Sequence, residues 1–154
     1  MVKRPKMKKV ASFLILILMF QLVFSISPTL AEGDGSPPIV KNINVSSKEV
    51  SVGEAITVKA QAEDDNSGVK YLNASFDPPS GNRGISIRLY LNEVSGLFEG
   101  SYTVGAMDEG GLWKFNYVAA YDNASNYEMY YSNVFEENLD FSVINADGDG
   151  IAPT

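Results

Sequence analysis

From Ile39 to Val143, apolar and polar residues alternate in short runs, and clusters of Gly, Pro, Asn and Asp separate the runs. Residues 55–62 show this most cleanly: Ile56, Val58, Ala60 and Ala62 share one parity, and Thr57, Lys59 and Gln61 the other. A period of two with one apolar side predicts an antiparallel strand packed on a core through one face and wet on the other. The same reading predicts strands over 39–45 and 69–76, the latter with a parity slip near Tyr71-Leu72 that suggests a bulge. Ile85, Ile87, Leu89 and Leu91 line one face of a further strand, and Phe98, Tyr102 and Val104 alternate in the next. Residues 112–121 are the most aromatic, with Trp113, Phe115, Tyr117 and Tyr121 on one parity, a face expected to bury much of the core. The return stretch 127–143 is expected to break near Glu136-Glu137-Asn138 and to resume with Leu139, Phe141 and Val143. No stretch shows a helical period. About seven short strands with regular turn signals predict an all-β antiparallel sandwich.

The first 31 residues stand outside this pattern. Lys3, Arg4, Lys6, Lys8 and Lys9 precede an apolar run over 10–26, and Pro28, Thr29 and Ala31 follow it at the spacing a signal peptidase reads. That pattern is a secretory signal peptide, with cleavage expected between Ala31 and Glu32. A membrane-spanning helix wants about 20 apolar residues, whereas this run is shorter and holds Gln21, so no membrane span is expected in the mature chain. The expected organisation is a signal peptide (1–31), a Gly- and Pro-rich linker (32–38), the sandwich domain (39–144) and a linker-like tail (145–154). The expected location is therefore secreted or cell-surface.

Composition narrows the chemistry. No cysteine is present, which excludes a cysteine-linked lipid anchor and the disulfide framework that export would otherwise permit. From residue 32 onward seven basic residues face nineteen acidic ones, a net charge of −12, which repels nucleic acid. With no His and no Cys, general-base work near neutral pH would need a perturbed carboxylate or lysine. Neighbours on a strand point to opposite faces, so the pairs Asp64-Asp65 and Glu136-Glu137 are not ready-made catalytic couples. The chain is not expected to be an enzyme.

The order DDNSGV, an alternating strand, LFEGSYTV and then GLWKFNYVAAYDNASN resembles bacterial immunoglobulin-like (Ig-like) repeats of exported surface proteins. Its specific part is Gly111-Leu112-Trp113 followed by Asp122-Asn123-Ala124-Ser125-Asn126, similar to a Gly-x-Trp strand that ends in Asp-x-Ala-Gly-Asn. Ser125 stands where the pattern has Gly, a departure at a position that favours the left-handed backbone. The resemblance implies an Ig-like β-sandwich acting as a spacer or adhesive module. Its expected partners are neighbouring Ig-like repeats, a cell-surface protein or a glycan.

In that topology the linker and the turns after the second and sixth strands share one pole. Asp34, Asp64, Asp65, Asn66, Asp122, Asn123 and Asn126 would then converge, and Asp64, Asp65, Asp122 and Asn126 are the expected calcium ligands. Calcium takes about 6–8 oxygens from carboxylates, amides and carbonyls. The same residues also suit turns for conformational reasons alone, because they bond their own backbone and tolerate left-handed φ. An alternative function is a carbohydrate-binding module, which predicts an exposed row among Tyr71, Tyr90, Tyr127, Tyr130 and Tyr131 on one sheet face. In the tail, Asn145, Asp147, Asp149 and Gly150 open like an aspartate-rich calcium loop without its final ligand. Its GDG-then-proline order echoes Gly33-Asp34-Gly35-Ser36-Pro37, the expectation being an inter-repeat linker.

Overall fold

The computed structural model describes residues 33–146. The expected signal peptide and the tail from Asp147 onward lie outside the described residues. Nine strands run in chain order: β1 (Ile39–Val45), β2 (Glu49–Ser51), β3 (Ala55–Glu63), β4 (Val69–Asp77), β5 (Ile85–Asn92), β6 (Leu97–Thr103), β7 (Gly111–Asp122), β8 (Tyr127–Tyr131) and β9 (Phe141–Ile144). They form one curled sheet in the order β1-β3-β6-β5-β4-β7-β9-β2, with β8 also paired to β7. No α-helix occurs among the described residues, and none of their helices is long and apolar enough to cross a membrane.

Two more strands appear than the alternation suggested. Glu49–Ser51 pairs in parallel with β9, Val50 opposite Val143. The return stretch divides in two, so that β8 covers Tyr117 to Tyr121 of β7 while β9 covers Gly111 to Trp113.

The sheet curls because β5 changes partner along its length. Leu89 and the residues before it pair with β4, and Tyr90 to Asn92 pair with β6. Leu91, expected to face inward with Ile87 and Leu89, is consequently 52% exposed while those two are buried. Inside the curl, Phe76 meets Phe115 and Phe141 edge-on at centroid distances of 5.4 and 5.2 Å. Trp113 stacks on Phe141, and its indole N–H donates to the Glu109 carbonyl at 2.8 Å, which satisfies the one polar atom of a buried ring.

β7 does not keep one parity. Phe76 pairs with Phe115 and Ser75 with Tyr117, which leaves Asn116 as an extra residue in the strand. Its side-chain amide donates to Asp77 Oδ2 at 3.0 Å. Beyond this bulge Val118 and Ala120 take the buried positions and Tyr117 and Tyr121 turn outward, contrary to the single aromatic face expected from the sequence. A second bulge, at Lys70, lies between the pairs Val69–Asp122 and Tyr71–Tyr121, one residue before the expected slip.

Candidate functional site

Three segments meet at the pole where β7 ends: the linker at Asp34–Ser36, the β3–β4 turn at 64–68 and the β7–β8 turn at 122–126. The backbone N–H of Ser67 donates to Asp34 Oδ2 at 3.0 Å, and that of Ser36 to Oδ1 at 3.1 Å. Asn126 Nδ2 donates to the Asp34 carbonyl at 3.0 Å and to Asp122 Oδ2 at 2.7 Å. Asn123 Nδ2 reaches the carbonyls of Ser67 and Gly68, both at 3.0 Å. Short polar side chains that bond nearby backbone make such turns, and here they also bond one another across the fold.

Within this lacework Asp34, Asp64 and Asp65 each present a carboxylate oxygen within 4.8 Å of the other two. Asp64 Oδ2 caps its own turn by accepting from the N–H groups of Asn66 and Gly68 at 3.2 and 2.7 Å. Its Oδ1 is buried and bonds to nothing among the described residues. An ionised oxygen in that position carries a desolvation cost that a ligand would relieve. Asp122, 1% exposed, is tied to Asp34 through Asn126, whose amide donates to both. Hydrogen bonding by Ser67 holds the Asp34 carboxyl below its ordinary pKa, against a smaller opposing effect of burial.

The structure therefore brings Asp64 and Asp65 together, with Asp34 as the third carboxylate. Asp122 and Asn126 lie one layer back. Asn126 points its amide nitrogen at Asp122 and Asp34, so as oriented it ties the segments together and offers no ligand oxygen in that direction. Beside the trio opens a cavity of about 540 Å³ lined by Ser36, Pro37, Ile39, Glu63, Glu128 and Tyr130 as well as Asp64 and Asp65. Of the tail candidates only Asn145 is described, and it donates to the Ala106 and Asp108 carbonyls at the opposite pole.

A second feature covers the outer face of strands β5, β4, β7 and β8. Tyr71 lies opposite Tyr121, and Tyr121 opposite Tyr127. Ring centroids are 4.7 Å apart in the first pair and 5.5 Å in the second, both stacked. Tyr90 tilts against Tyr71 at 6.4 Å, and the Arg88 guanidinium sits 4.6 Å from the Tyr71 ring centre. Centroids this close require the rings to stand against one another, with their faces mutually covered. Tyr130, on the other face of β8, instead donates its hydroxyl to the Pro38 carbonyl at 2.9 Å.

No protein-family model matches the chain, and no curated protein matches it. Among solved structures it is similar to Cwp6 from Clostridium difficile, with a TM-score of 0.55 and 15% sequence identity over 77% of this chain. The likeness is one of fold. The aligned part amounts to 19% of the Cwp6 chain, so this chain spans about a fifth of that protein.

The sequence placed the acidic turns at one pole and singled out Asp64, Asp65, Asp122 and Asn126, and the structure brings the carboxylates of Asp64 and Asp65 together with that of Asp34. Asp34 was legible as one of the residues expected to converge there, but its fixed position depends on Ser67, 33 residues away. Tyr71, Tyr90 and Tyr127 of the row were among the expected exposed tyrosines, whereas Tyr121 was assigned to the core face because the bulge at Asn116 that turns it outward leaves no periodic signal.

Proposed function

We propose that this chain is a non-catalytic Ig-like module of the bacterial cell surface, serving as a spacer or adhesive domain and stiffened by calcium at the pole of Asp34, Asp64 and Asp65. The observation that carries the spacer reading is the placement of the two ends of the described domain, at Asp34 and Asn145. The linker enters beside Asp122, at one end of β7, and Asn145 leaves beside Gly111, at the other. β7 has 12 residues, so entry and exit lie roughly 35 Å apart at the usual strand rise. Modules joined in that way form a string, and a string is stiff only if its joints are. The hydrogen bonds from Ser67 and Asn126 to Asp34 fix the direction of the incoming linker, and a cation on the same carboxylates would fix it further.

The site suits a hard cation, because its donors are all oxygens and one is buried without a partner. When bound, the ion would supply charge neutralisation and no chemistry. The likeness to Cwp6, a cell wall protein, supports the surface location. Protease treatment of intact cells producing the full chain tests that location. Digestion of the domain without lysis is expected, and protection until lysis, with residues 1–31 still attached, would contradict it.

Glycan binding is a second reading, favoured by the exposure of Tyr90 and Tyr127 at 57% and 59% in one row. Mutual stacking covers the faces of Tyr71 and Tyr121. A saccharide would have only the end rings to lie against, so this reading is the weaker. Nuclear magnetic resonance titration with soluble cell-wall polysaccharide tests it: shifts confined to Tyr90 and Tyr127 support it, and an unchanged spectrum removes it.

A further inference from the structure

Strand β8 leaves one edge of the sheet open. The Asp122 N–H donates to the Asn126 carbonyl at 3.1 Å, which sets the phase of the β7–β8 ladder. In an antiparallel pair, hydrogen-bonded pairs recur every second residue. The next ones are Ala120 with Glu128 and Val118 with Tyr130, so the backbone groups of Tyr127, Met129 and Tyr131 point away from β7. The Met129 N–H accordingly bonds only the side chain of its neighbour Glu128, at 3.3 Å. Among the described residues, no strand pairs with this edge.

Unpaired edges invite association, and proteins usually block them with bulges, lysines, prolines or shortness. The other long edge, β1, has such devices: a bulge between Val40 and Asn42, and Lys41 engaged with Glu63 at 2.7 Å. β2 is three residues long. β8, Tyr127-Glu128-Met129-Tyr130-Tyr131, has none of them.

We propose that a second copy of this chain pairs with β8, antiparallel across a two-fold axis at Met129. The sequence is self-complementary about that point. Met129 would face the partner's Met129, and Tyr127 the partner's Tyr131, which matches the three residues whose backbone groups are free. The row Tyr90-Tyr71-Tyr121-Tyr127 ends at this edge with Tyr127 stacked on Tyr121 and still 59% exposed, and the partner's Tyr131 would take the next place in it. Tyr117 and Tyr131, already in contact at 6.1 Å, form the second row, which would run on to the partner's Tyr127. Glu128 would lie opposite the partner's Tyr130, so no like charges stand directly opposite. The axis is perpendicular to the sheet, so both tyrosine faces remain on one side of a continuous sheet. This pairing goes beyond the spacer reading and does not depend on calcium.

Sedimentation equilibrium of the compact unit Gly33–Thr154 should show a monomer–dimer equilibrium. Salt should strengthen the dimer, because nineteen acids against seven basic residues make the copies repel. The chain has no cysteine, so single substitutions report position cleanly. With a short bismaleimide, Met129→Cys should cross-link to itself. Tyr127→Cys and Tyr131→Cys should each cross-link poorly alone and well when mixed. Met129→Pro removes an outward N–H that no strand uses, so it should abolish the dimer while the monomer stays folded by circular dichroism. A monomer at every concentration and salt would overturn the proposal. So would a dimer that Met129→Pro leaves intact, or one in which Tyr127→Cys alone cross-links as well as Met129→Cys.

Discussion

Asn126 donates one side-chain hydrogen bond to the carbonyl of Asp34, 92 residues earlier, at 3.0 Å, and another to Asp122 at 2.7 Å. A single amide thus ties the incoming linker to the end of β7. Asn126→Ala should cost about 1–3 kcal/mol, because it leaves the buried Asp122 carboxyl short of a donor. Urea unfolding measures the loss. Hydrogen exchange should show residues 33–38 released as well, since their anchor is gone.

Ser125 has φ of 79°, the left-handed region in which glycine is easy and other residues are strained. The turn thus takes the left-handed geometry with a residue that suits it less well than glycine. Ser125→Gly should therefore stabilise the protein by about 1 kcal/mol, equivalent to a rise in Tm of roughly 5 °C for a domain of this size. Differential scanning calorimetry checks the sign.

The outward turn of Tyr117 can be weighed against the core directly. Phe76→Ala removes a ring fully enclosed by Phe115 and Phe141 and should cost about 3–5 kcal/mol. Tyr117→Ala should cost under about 2 kcal/mol, because the bulge at Asn116 puts that ring on the outer face against Tyr131. Equal losses in denaturant unfolding would mean that β7 keeps one parity after all.

Tyr102 is pushed up to about 12, mainly by burial and then by its hydrogen bonds to Asp108 at 2.8 and 2.9 Å. A phenol whose pKa is raised on folding contributes stability that is fully present below its unfolded value near 10, and that is lost as pH rises through the folded value. Stability should thus fall between pH 10 and 12, and Tyr102→Phe should flatten that fall. Ultraviolet titration should find one of the eight tyrosines ionising last in the wild type, and none so late in the variant.

Strand existence was legible because burial on one face imposes a period of two, clearest in Ile56, Val58 and Ala60, all buried. Parity beyond a bulge was not. An inserted residue such as Asn116 or Lys70 reverses every later side chain without changing composition, and only the cross-strand register reveals it. The partner switch of β5 at Tyr90 misled in the same way, because Leu91 continues the alternation of Ile87 and Leu89 in sequence but not in burial. At the acidic pole, Asp64, Asp65 and Asp122 could be placed from turn order together with the topology that the resemblance implies. Which oxygens converge depended on Ser67 and Asn126 reaching across the fold.

A calcium-stiffened pole requires the carboxylates of Asp34, Asp64 and Asp65 to share one ion, and calcium-dependent thermal melting tests that most directly. Protein stripped with chelator and returned to calcium at ten times its dissociation constant should gain about 1.4 kcal/mol, a rise in Tm of roughly 7 °C. Asp64→Asn should abolish the calcium response while the variant remains folded. An unchanged Tm at millimolar calcium, or a response that Asp64→Asn retains in full, would contradict the calcium-stiffened pole.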